Sequence, residues 1–457
     1  MIQSVSQYSP EDLQTACSQS PAIQRYLNIV NQYPELLNLI KFTDLPLHTE
    51  YACNLTLIRH QIWLNCALAT FFTTSTVKDI CYYWSEQVDH IINSAWENFD
   101  LDKEDLLLFA LGKLGAMELN LSSDVDLVII SNDPNSQKSS RKIQAFTKTL
   151  TSLNQFGFCL RVDYNLRPGG RFGPLVSSLS QFQDYYWSQG ETWEKLALGR
   201  FRAINTNLSL KSKLTEVINN FCFRKYIDYT LFDDLKNIRK QIQEHYFKNN
   251  QLQQFHLKLG KGGIRDIELY LHALQIIHGG RYPEIRNYST SQLTENLTSR
   301  SLLKEVEGET LINSYWKYRE LENKIQIYED QQTHTWSVDL KYPSLSTLDA
   351  KNLLQLSEEI DNVVSDLLGP ILSSKNPLPA TMEEQVSWLT KHGFKPDIIN
   401  DVWPKLMELT ARSIRGQKDE AIRRNFLYYF VEELRVVNLD FNLGLKLLFD
   451  FLVLFPE

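Results

Sequence analysis

Cysteine is scarce and scattered. The six cysteines of the 457-residue chain, Cys17, Cys53, Cys66, Cys81, Cys159 and Cys222, form no Cys-x-x-Cys pair. That argues against a disulfide framework or a zinc site and fits a reducing cytosol. The nine histidines include no His-Glu-x-x-His, so zinc-hydrolase chemistry has little support. Long apolar runs are also missing: Leu106–Leu111 is too short to span a bilayer, and Leu443–Phe455 is interrupted by Lys446 and Asp450. Met1–Asp12 has no basic stretch leading into an apolar one, which predicts no secretory leader. The expectation is a soluble, cytoplasmic protein with no membrane partner. Positive charge is in deficit, 47 Lys+Arg against 55 Asp+Glu for a net charge of −8. This excludes a generally basic nucleic-acid coat and leaves room for local basic patches only. What is present is ordinary for folded domains, 43% hydrophobic and 22% charged residues, enough for a sizeable core. The length predicts two to four domains or one large helical assembly.

Along the chain the hydrophobic period changes twice. Ser9-Pro10-Glu11-Asp12 reads as a helix start, with Ser9 as cap and Pro10 at the first helical position. From there to about Phe99 apolar residues recur every three or four positions, with a break near Pro34. Leu106–Gly112 and Asp126–Ile130 are then compact apolar runs suited to strands buried on both faces, the second bounded by turn formers at Ser131–Ser136. Arg141–Phe156 has helical spacing and stops at Gly157. Residues 158–166 alternate, which predicts a strand with Arg161, Asp163 and Asn165 on one face. Helices resume from Ser180, pause at a glycine-punctuated segment, Leu257–Glu268, and continue with breaks at Ser374–Pro379 and His392–Pro396. The fold class predicted is α+β and mostly helical: a small α/β core embedded between helical N-terminal and C-terminal regions.

Within that core, Asp124 and Asp126 stand two apart at a strand start. Both carboxylates then point to one face, about 6.5–7 Å apart at Cα, where hard oxygen donors can hold Mg²⁺ against phosphate oxygens. Asp163, on the next acidic strand, has the face and context to complete a phosphoryl-transfer site. Asp-x-Asp alone is weak: Asp100-Leu101-Asp102 matches it too and reads as a solvated turn or cap. The second copy differs in the preceding Gly112 and Gly115, in the buried run that follows, and in the acidic strand about 40 residues on.

Glycine turn, Asp-x-Asp strand and acidic strand together resemble the nucleotidyltransferase superfamily of the DNA polymerase β type. The likeness is closer than that. Gly112-Lys-Leu-Gly-Ala-Met-Glu-Leu-Asn-Leu-Ser-Ser-Asp-Val-Asp-Leu127 and Arg161-Val-Asp-Tyr-Asn-Leu-Arg-Pro168 resemble the bifunctional glutamine synthetase adenylyltransferase/adenylyl-removing enzymes. So do Gly173-Pro-Leu-Val176, Asp184-Tyr-Tyr186, Trp193-Glu194 with Arg200 and Arg202, Lys258-Leu-Gly-Lys-Gly-Gly-Ile-Arg-Asp-Ile-Glu268, Gly279-Gly-Arg281, Leu321-Glu-Asn323 and Asp330-Gln-Gln-Thr-His-Thr335. The motifs follow in order from about residue 100 to 340. Members of that family carry two nucleotidyltransferase halves in about twice this length, so the chain reads as one half of a longer protein. The Glu-Leu-Asn-x-Ser-Ser-Asp form, Arg161-Val-Asp163 and Gly-Gly-Ile-Arg265 look like the N-terminal, deadenylylating half.

The resemblance implies a polymerase β-like sheet and four regions: a helical region at 1–103, the nucleotidyltransferase core at 104–235, a helical region at 236–372 whose Gly-rich hairpin completes the site, and a helical region at 373–457. It implies phosphorolysis of the adenylyl-tyrosine bond of glutamine synthetase, with inorganic phosphate attacking and ADP released. Expected partners are adenylylated glutamine synthetase and a PII-type signalling protein; the expected cofactor is Mg²⁺, with Mn²⁺ as alternative. Asp124, Asp126 and Asp163 would bind metal. Gly112, Lys113, Ser122, Ser123, Arg161, Arg167, Arg200, Arg202, Arg265 and Glu268 would face phosphate or nucleotide; Arg167, Arg171, Arg200, Arg202 and Arg265 are the candidates to hold the attacking phosphate, since guanidinium matches phosphate geometry, with Lys113, Lys258 and Lys261 behind them. Gly260–Gly263 reads better as a tight hairpin turn than as a phosphate cradle, His334 as a packed helix-end histidine, and Tyr185, Tyr186, Trp187 and Trp193 as core. The competing readings are adenylylation from ATP and a non-catalytic module docking glutamine synthetase or a PII protein; a nucleic-acid polymerase is more remote.

Overall fold

The computed structural model describes residues 2–40, 42, 50–132, 139–205, 207–225, 230–249, 254–286, 289–337, 350–369, 378–379, 381–391, 393–412, 427–428, 430–431 and 441–454. Two compact units are present, Met1–Pro370 and Ile371–Glu457. The expected turn at Ser131–Ser136 and the break at Ser374–Pro379 fall largely outside the described residues.

The first unit opens with helices α1 (Pro10–Gln19), α2 (Pro21–Val30), α3 (Tyr51–Phe72) and α4 (Val77–Asn98). Ser9 caps α1 as its sequence predicts: its Oγ accepts the Asp12 amide while Asp12 accepts the Ser9 amide, a capping box. Thr76 and Asp79 repeat the device at α4. The break near Pro34 is real, since α2 stops at Val30 and a single 3₁₀ turn, Pro34–Leu36, follows.

A five-stranded mixed sheet comes next: β1 (Leu106–Ala110), β2 (Val125–Ser131), β3 (Val162–Asp163), β4 (Val176–Ser178) and β5 (Arg202–Ala203). A short helix, α5 (Gly112–Gly115), follows β1, and α6 (Ser140–Thr151) links β2 to β3. β1 pairs antiparallel with β2 and β5, and the far edge of β2 is shared by β3 and β4, both parallel. The two apolar runs are strands covered on both faces. Leu106, Leu108, Ala110, Val125, Leu127 and Ile129 enter one core with α3, α4 and α6; Leu107, Phe109, Val128 and Ile130 enter another. That second core is completed by α7 (Leu179–Ser188), α8 (Thr192–Leu198) and α9 (Leu208–Cys222).

The strand predicted over 158–166 is cut to two residues. β3 ends at Asp163, the chain makes an excursion, and β4 resumes pairing at Val176. Of the aromatic cluster read as core, Tyr186 is buried, whereas Trp187 and Trp193 are exposed by 56% and 42%. They sit at helix ends, where spacing of three or four does not guarantee a covered face.

The unit continues with α10 (Thr230–Asn249), β6 (Gln254–His256), α11 (Ile264–Gly279), α12 (Thr290–Ser299), α13 (Glu305–Ile327), β7 (Thr335–Ser337) and α14 (Ala350–Leu368). β6 and β7 form an antiparallel ribbon, and α11 to α14 share a core of their own. Leu257–Gly263 is therefore not a hairpin but a strand-to-helix turn between β6 and α11. In the second unit, α15 (Met382–Lys391), a π-helical turn at Ile398–Val402, α16 (Trp403–Arg412) and α17 (Phe441–Leu454) pack around Trp403, Leu389 and Leu406. Among the described residues no helix is long and apolar enough to cross a membrane. The fold is mostly helical with a small mixed sheet, as the periodicity predicts.

Candidate active site

The acids sit where two parallel strands start. Asp126 and Asp163 are direct register partners on β2 and β3, and Val125 N donates to Arg161 O at 2.8 Å. Asp124 immediately precedes β2. Burial, followed by the charges of Asp163 and Asp124, pushes the Asp126 carboxyl up to about 7. The three acids thus share one electrostatic environment.

Gly112 explains how a carboxylate fits under the turn after β1. Its φ is +56°, the left-handed region, and a Cβ there would stand 2.5 Å from Asp126 Oδ2. Gly115 is equally constrained, because a Cβ would meet Arg200 O at 1.9 Å. The close approaches that these glycines permit are to the chain's own carboxylate and backbone. Leu111 N donates to Asp126 O at 3.0 Å, tying the turn to the acid strand.

Lys113 braces the segment between turn and acids. Its Nζ donates to Asn120 Oδ1 (3.1 Å), Ser123 Oγ (3.1 Å) and Glu322 Oε1 (2.9 Å). Burial pulls this ammonium down to about 7, with Arg319 and Lys258 adding to the effect against the opposing pull of Glu322. Glu322 is fully buried on α13 and also meets Arg319 Nη1 at 3.0 Å and His334 Nδ1 at 2.6 Å. Although burial pushes its carboxyl up, Lys113 and the other cations hold it well below the usual range. His334 is thus packed against an acid, but directly before β7 rather than at a helix end as its sequence reading has it, because α13 already stops at Ile327. Asn323 Oδ1 accepts Asn120 Nδ2 and Leu121 N, and Gln326 Oε1 accepts Ser122 N. The Leu321-Glu-Asn323 motif is the part that sequence reasoning left without a role. One face of α13 hydrogen-bonds the loop leading to Asp124.

Several expected phosphate-facing groups are committed elsewhere. Ser122 is fully buried and donates to Asp330 Oδ1 at 2.6 Å. Arg161 donates to the carbonyls of Ser122 (3.3 Å) and Asp330 (2.6 Å). Arg167 gives its donors to the carbonyls of Tyr164, Arg171 and Gly173, closing its own loop. Arg202 forks onto Asp89 at 2.7 and 3.0 Å. In each case a buried or half-buried donor has found an acceptor in the chain, and spacing along the sequence does not reveal which arginines do so. Ser123 accepts from Lys113 and stays beside the acids.

The cationic side of the site comes from the strand-to-helix turn and α11. Arg200 bonds Glu268 Oε1 (3.0 Å) and His272 Nε2 (2.5 Å) within a buried cluster. Glu268, pushed up by burial, is nonetheless held well below the usual range by Arg200, Arg265, Arg319 and Lys258. Arg265 is 45% exposed, with Nη1 3.9 Å from Glu268 Oε2. Lys258 has no ion-pair partner among the described residues, and burial, followed by Arg265, pulls its ammonium down. Its charge reaches Asp126, Glu268 and Glu322. The turn's own amides are consumed within it: Gly263 N bonds Gly260 O, Ile264 N bonds Leu257 O, and Gly262 N bonds Asp266 Oδ2. It is a turn rather than a cradle of free N–H groups. Lys261 pairs with Asp361, and Arg171 lies against Phe172.

All-carboxylate donors suit a hard divalent cation, and the glycine keeps the space beside Asp126 clear. The donor set therefore fits such an ion. The carboxylates stand apart: Asp163 Oδ1 accepts Asn165 N–H at 2.6 Å, and among the described residues no three acids, histidines or cysteines form a closed ligating cluster.

Comparison with known proteins agrees with the motifs. Residues 39–217 match the glutamate-ammonia ligase adenylyltransferase family, and residues 235–350 match the GlnD PII-uridylyltransferase family. The bifunctional glutamine synthetase adenylyltransferase/adenylyl-removing enzyme of Alteromonas mediterranea is 34% identical over 270 residues, which is 56% of this chain and 27% of the relative. That of Rhizobium meliloti is 33% identical over 269 residues, 55% and 27% respectively. That of Agrobacterium fabrum is 29% identical over 316 residues, 63% and 32%. The matches cover about a quarter to a third of these relatives.

Proposed function

We propose that this chain, an enzyme of the glutamine synthetase adenylyltransferase family through its residues 39–217, removes AMP from an adenylylated tyrosine of glutamine synthetase by phosphorolysis. An oxygen of inorganic phosphate attacks the adenylyl phosphorus, the bond from phosphorus to the tyrosine oxygen breaks, and the tyrosine regains a proton. The products are ADP and unmodified glutamine synthetase. The observation that carries the reading is the register pair Asp126 and Asp163, with Asp124 beside it and Asp126 pushed up to about 7 by burial and its acidic neighbours.

Asp124, Asp126 and Asp163 would hold Mg²⁺ or Mn²⁺. Such an ion supplies charge neutralisation for the phosphate oxygens as negative charge builds on them. The chain's own contribution is orientation. Lys258 and the half-exposed Arg265 would hold the attacking phosphate, an anion that the adenylyl group repels, and Glu268, kept ionised by its cations, fixes Arg200 and Arg265 around it. The form Gly-Gly-Ile-Arg265 favours removal of AMP over its attachment. The match at residues 235–350 supports a PII-type protein as a second partner of the helical region.

The test is direct. Incubated with adenylylated glutamine synthetase, Mg²⁺ and labelled phosphate, the chain should yield labelled ADP, and Asp126→Asn should lower the rate by roughly 10²-fold or more, the scale of losing a key electrostatic group. Absence of labelled ADP refutes phosphorolysis; pyrophosphate release from ATP in its place would identify the attaching reaction.

A further inference from the structure

The pairing that brings Asp126 and Asp163 together is very short. β3 contributes two residues, Val162 and Asp163, opposite Val125 and Asp126. Parallel ladders are slightly weaker per residue than antiparallel ones, and two pairs give this one few contacts with which to hold its register. Something outside the ladder has to fix it.

Just ahead of the pair, both strands meet one buried residue, Asp330, the first through its side chain and the second mainly through its backbone carbonyl. Ser122, two residues before Asp124, donates its hydroxyl to Asp330 Oδ1 at 2.6 Å. Arg161, two residues before Asp163, donates Nη2 to the Asp330 carbonyl at 2.6 Å and Nη1 to Ser122 O at 3.3 Å, with Nη1 3.8 Å from Asp330 Oδ1. The other carboxylate oxygen, Oδ2, accepts from Tyr26 OH (2.6 Å, α2) and Arg59 Nη2 (2.8 Å, α3). Asp330 sits just beyond α13 with φ +54°, a left-handed conformation that aspartate tolerates better than most residues. Its neighbours hold it there: Ser20 Oγ donates to Ile327 O at 2.7 Å and Ala22 N to Tyr328 O at 3.2 Å. The Asp330 side chain is 1% exposed, so it acts through other residues rather than on a substrate.

We propose that Asp330 is a positioning residue for the acid site, clamping the starts of β2 and β3 so that Asp126 stays in register with Asp163, with Asp124 beside them. The inference rests on the reading that these acids bind a divalent cation. It makes the N-terminal helices part of the same support, since Tyr26 and Arg59 orient the clamp.

Mn²⁺ binding to the full chain, followed by electron paramagnetic resonance, tests this apart from turnover. The wild type should bind Mn²⁺ and Asp126→Asn should abolish binding. Asp330→Asn and Ser122→Ala should each bind 10–100-fold more weakly, the range for residues that orient metal ligands, while circular dichroism stays native. If Asp330→Asn fails to fold because Arg59 loses its partner, Ser122→Ala decides, since it leaves the Asp330, Arg59 and Tyr26 contacts intact. Wild-type affinity in Ser122→Ala, alongside an Asp126-dependent site, overturns the clamp and leaves the metal reading standing. No Mn²⁺ binding by the wild type, or unchanged binding in Asp126→Asn, overturns the metal reading and the clamp with it.

Discussion

Replacing Asp126 with Asn should lower activity by roughly 10²-fold or more and yet stabilise the metal-free protein, by an amount that depends on pH. A carboxyl with an ordinary value of 3.8 and a folded value of about 7 corresponds, at roughly 1.4 kcal/mol per pH unit, to at most about 4 kcal/mol. The sign follows from the raised folded value. Below about pH 4 the group is protonated whether the chain is folded or unfolded, and it costs nothing. Between about 4 and 7 the unfolded chain releases a proton that the folded one keeps, so stability falls as pH rises. Above about 7 both have released it and the full cost persists. Asn at this position cannot ionise and relieves the repulsion of Asp124 and Asp163. Urea unfolding in EDTA should therefore show little difference between variant and wild type at pH 4, and a gain of about 2–4 kcal/mol for the variant at pH 8. Mn²⁺ at roughly 1,000 times its dissociation constant should cancel or reverse that gain at pH 8, because a ligand at this excess adds about 4.1 kcal/mol to the state that binds it. Equal stability in EDTA at both pH values would refute the shared electrostatic environment of the three acids.

Gly112→Ala should lose most activity and destabilise by at least 1 kcal/mol in urea titrations, since its Cβ would collide with the Asp126 carboxylate at a positive φ. Glu322→Ala should cost about 3–5 kcal/mol by the same measurement, because Lys113 and Arg319 are left buried without their carboxylate. Arg167→Ala should leave Mn²⁺ binding and the phosphate dependence of the rate unchanged while accelerating limited proteolysis between residues 164 and 175, whose carbonyls it holds. With a thiol reagent at pH 8, Cys17 should react first in the native chain: burial pushes all six thiols up, but Cys17 is half-buried whereas the other five are buried and out of the reagent's reach.

The long signals in the sequence survive into the structure. Capped helices, the doubly buried strands β1 and β2, and the glycine turn before Asp124 all rest on local chemistry and hydrophobic period, which are visible one residue at a time. What the sequence concealed depends on partners far along the chain. β3 was overextended because alternation at 158–166 says nothing about where a neighbouring strand stops. The two- and three-residue strands β4 and β5 carry too few residues for a period. Arg161, Arg167 and Arg202 looked alike as phosphate ligands because their acceptors, at Asp330, within 164–173 and at Asp89, are set by tertiary contact. The same is true of Glu322, Asn323 and Asp330, whose work is done on residues about 200 positions earlier.

The far edge of β2 is in effect one strand with a detour in it. Val162 opposes Val125 and Val176 opposes Ile129, so the pairing offset grows from 37 to 47 residues and ten residues have been spliced into an otherwise continuous partner. Arg167 ties that splice to itself, and its glycines at φ +76° and +57° let it turn back on the sheet. A detour of this kind separates evolutionary freedoms. The two residues before it must hold an acid in register, whereas its own length is nearly neutral, since doubling a loop adds only about 0.6 kcal/mol of closure entropy. New surface can be grown within a few residues of Asp163 without disturbing the acids.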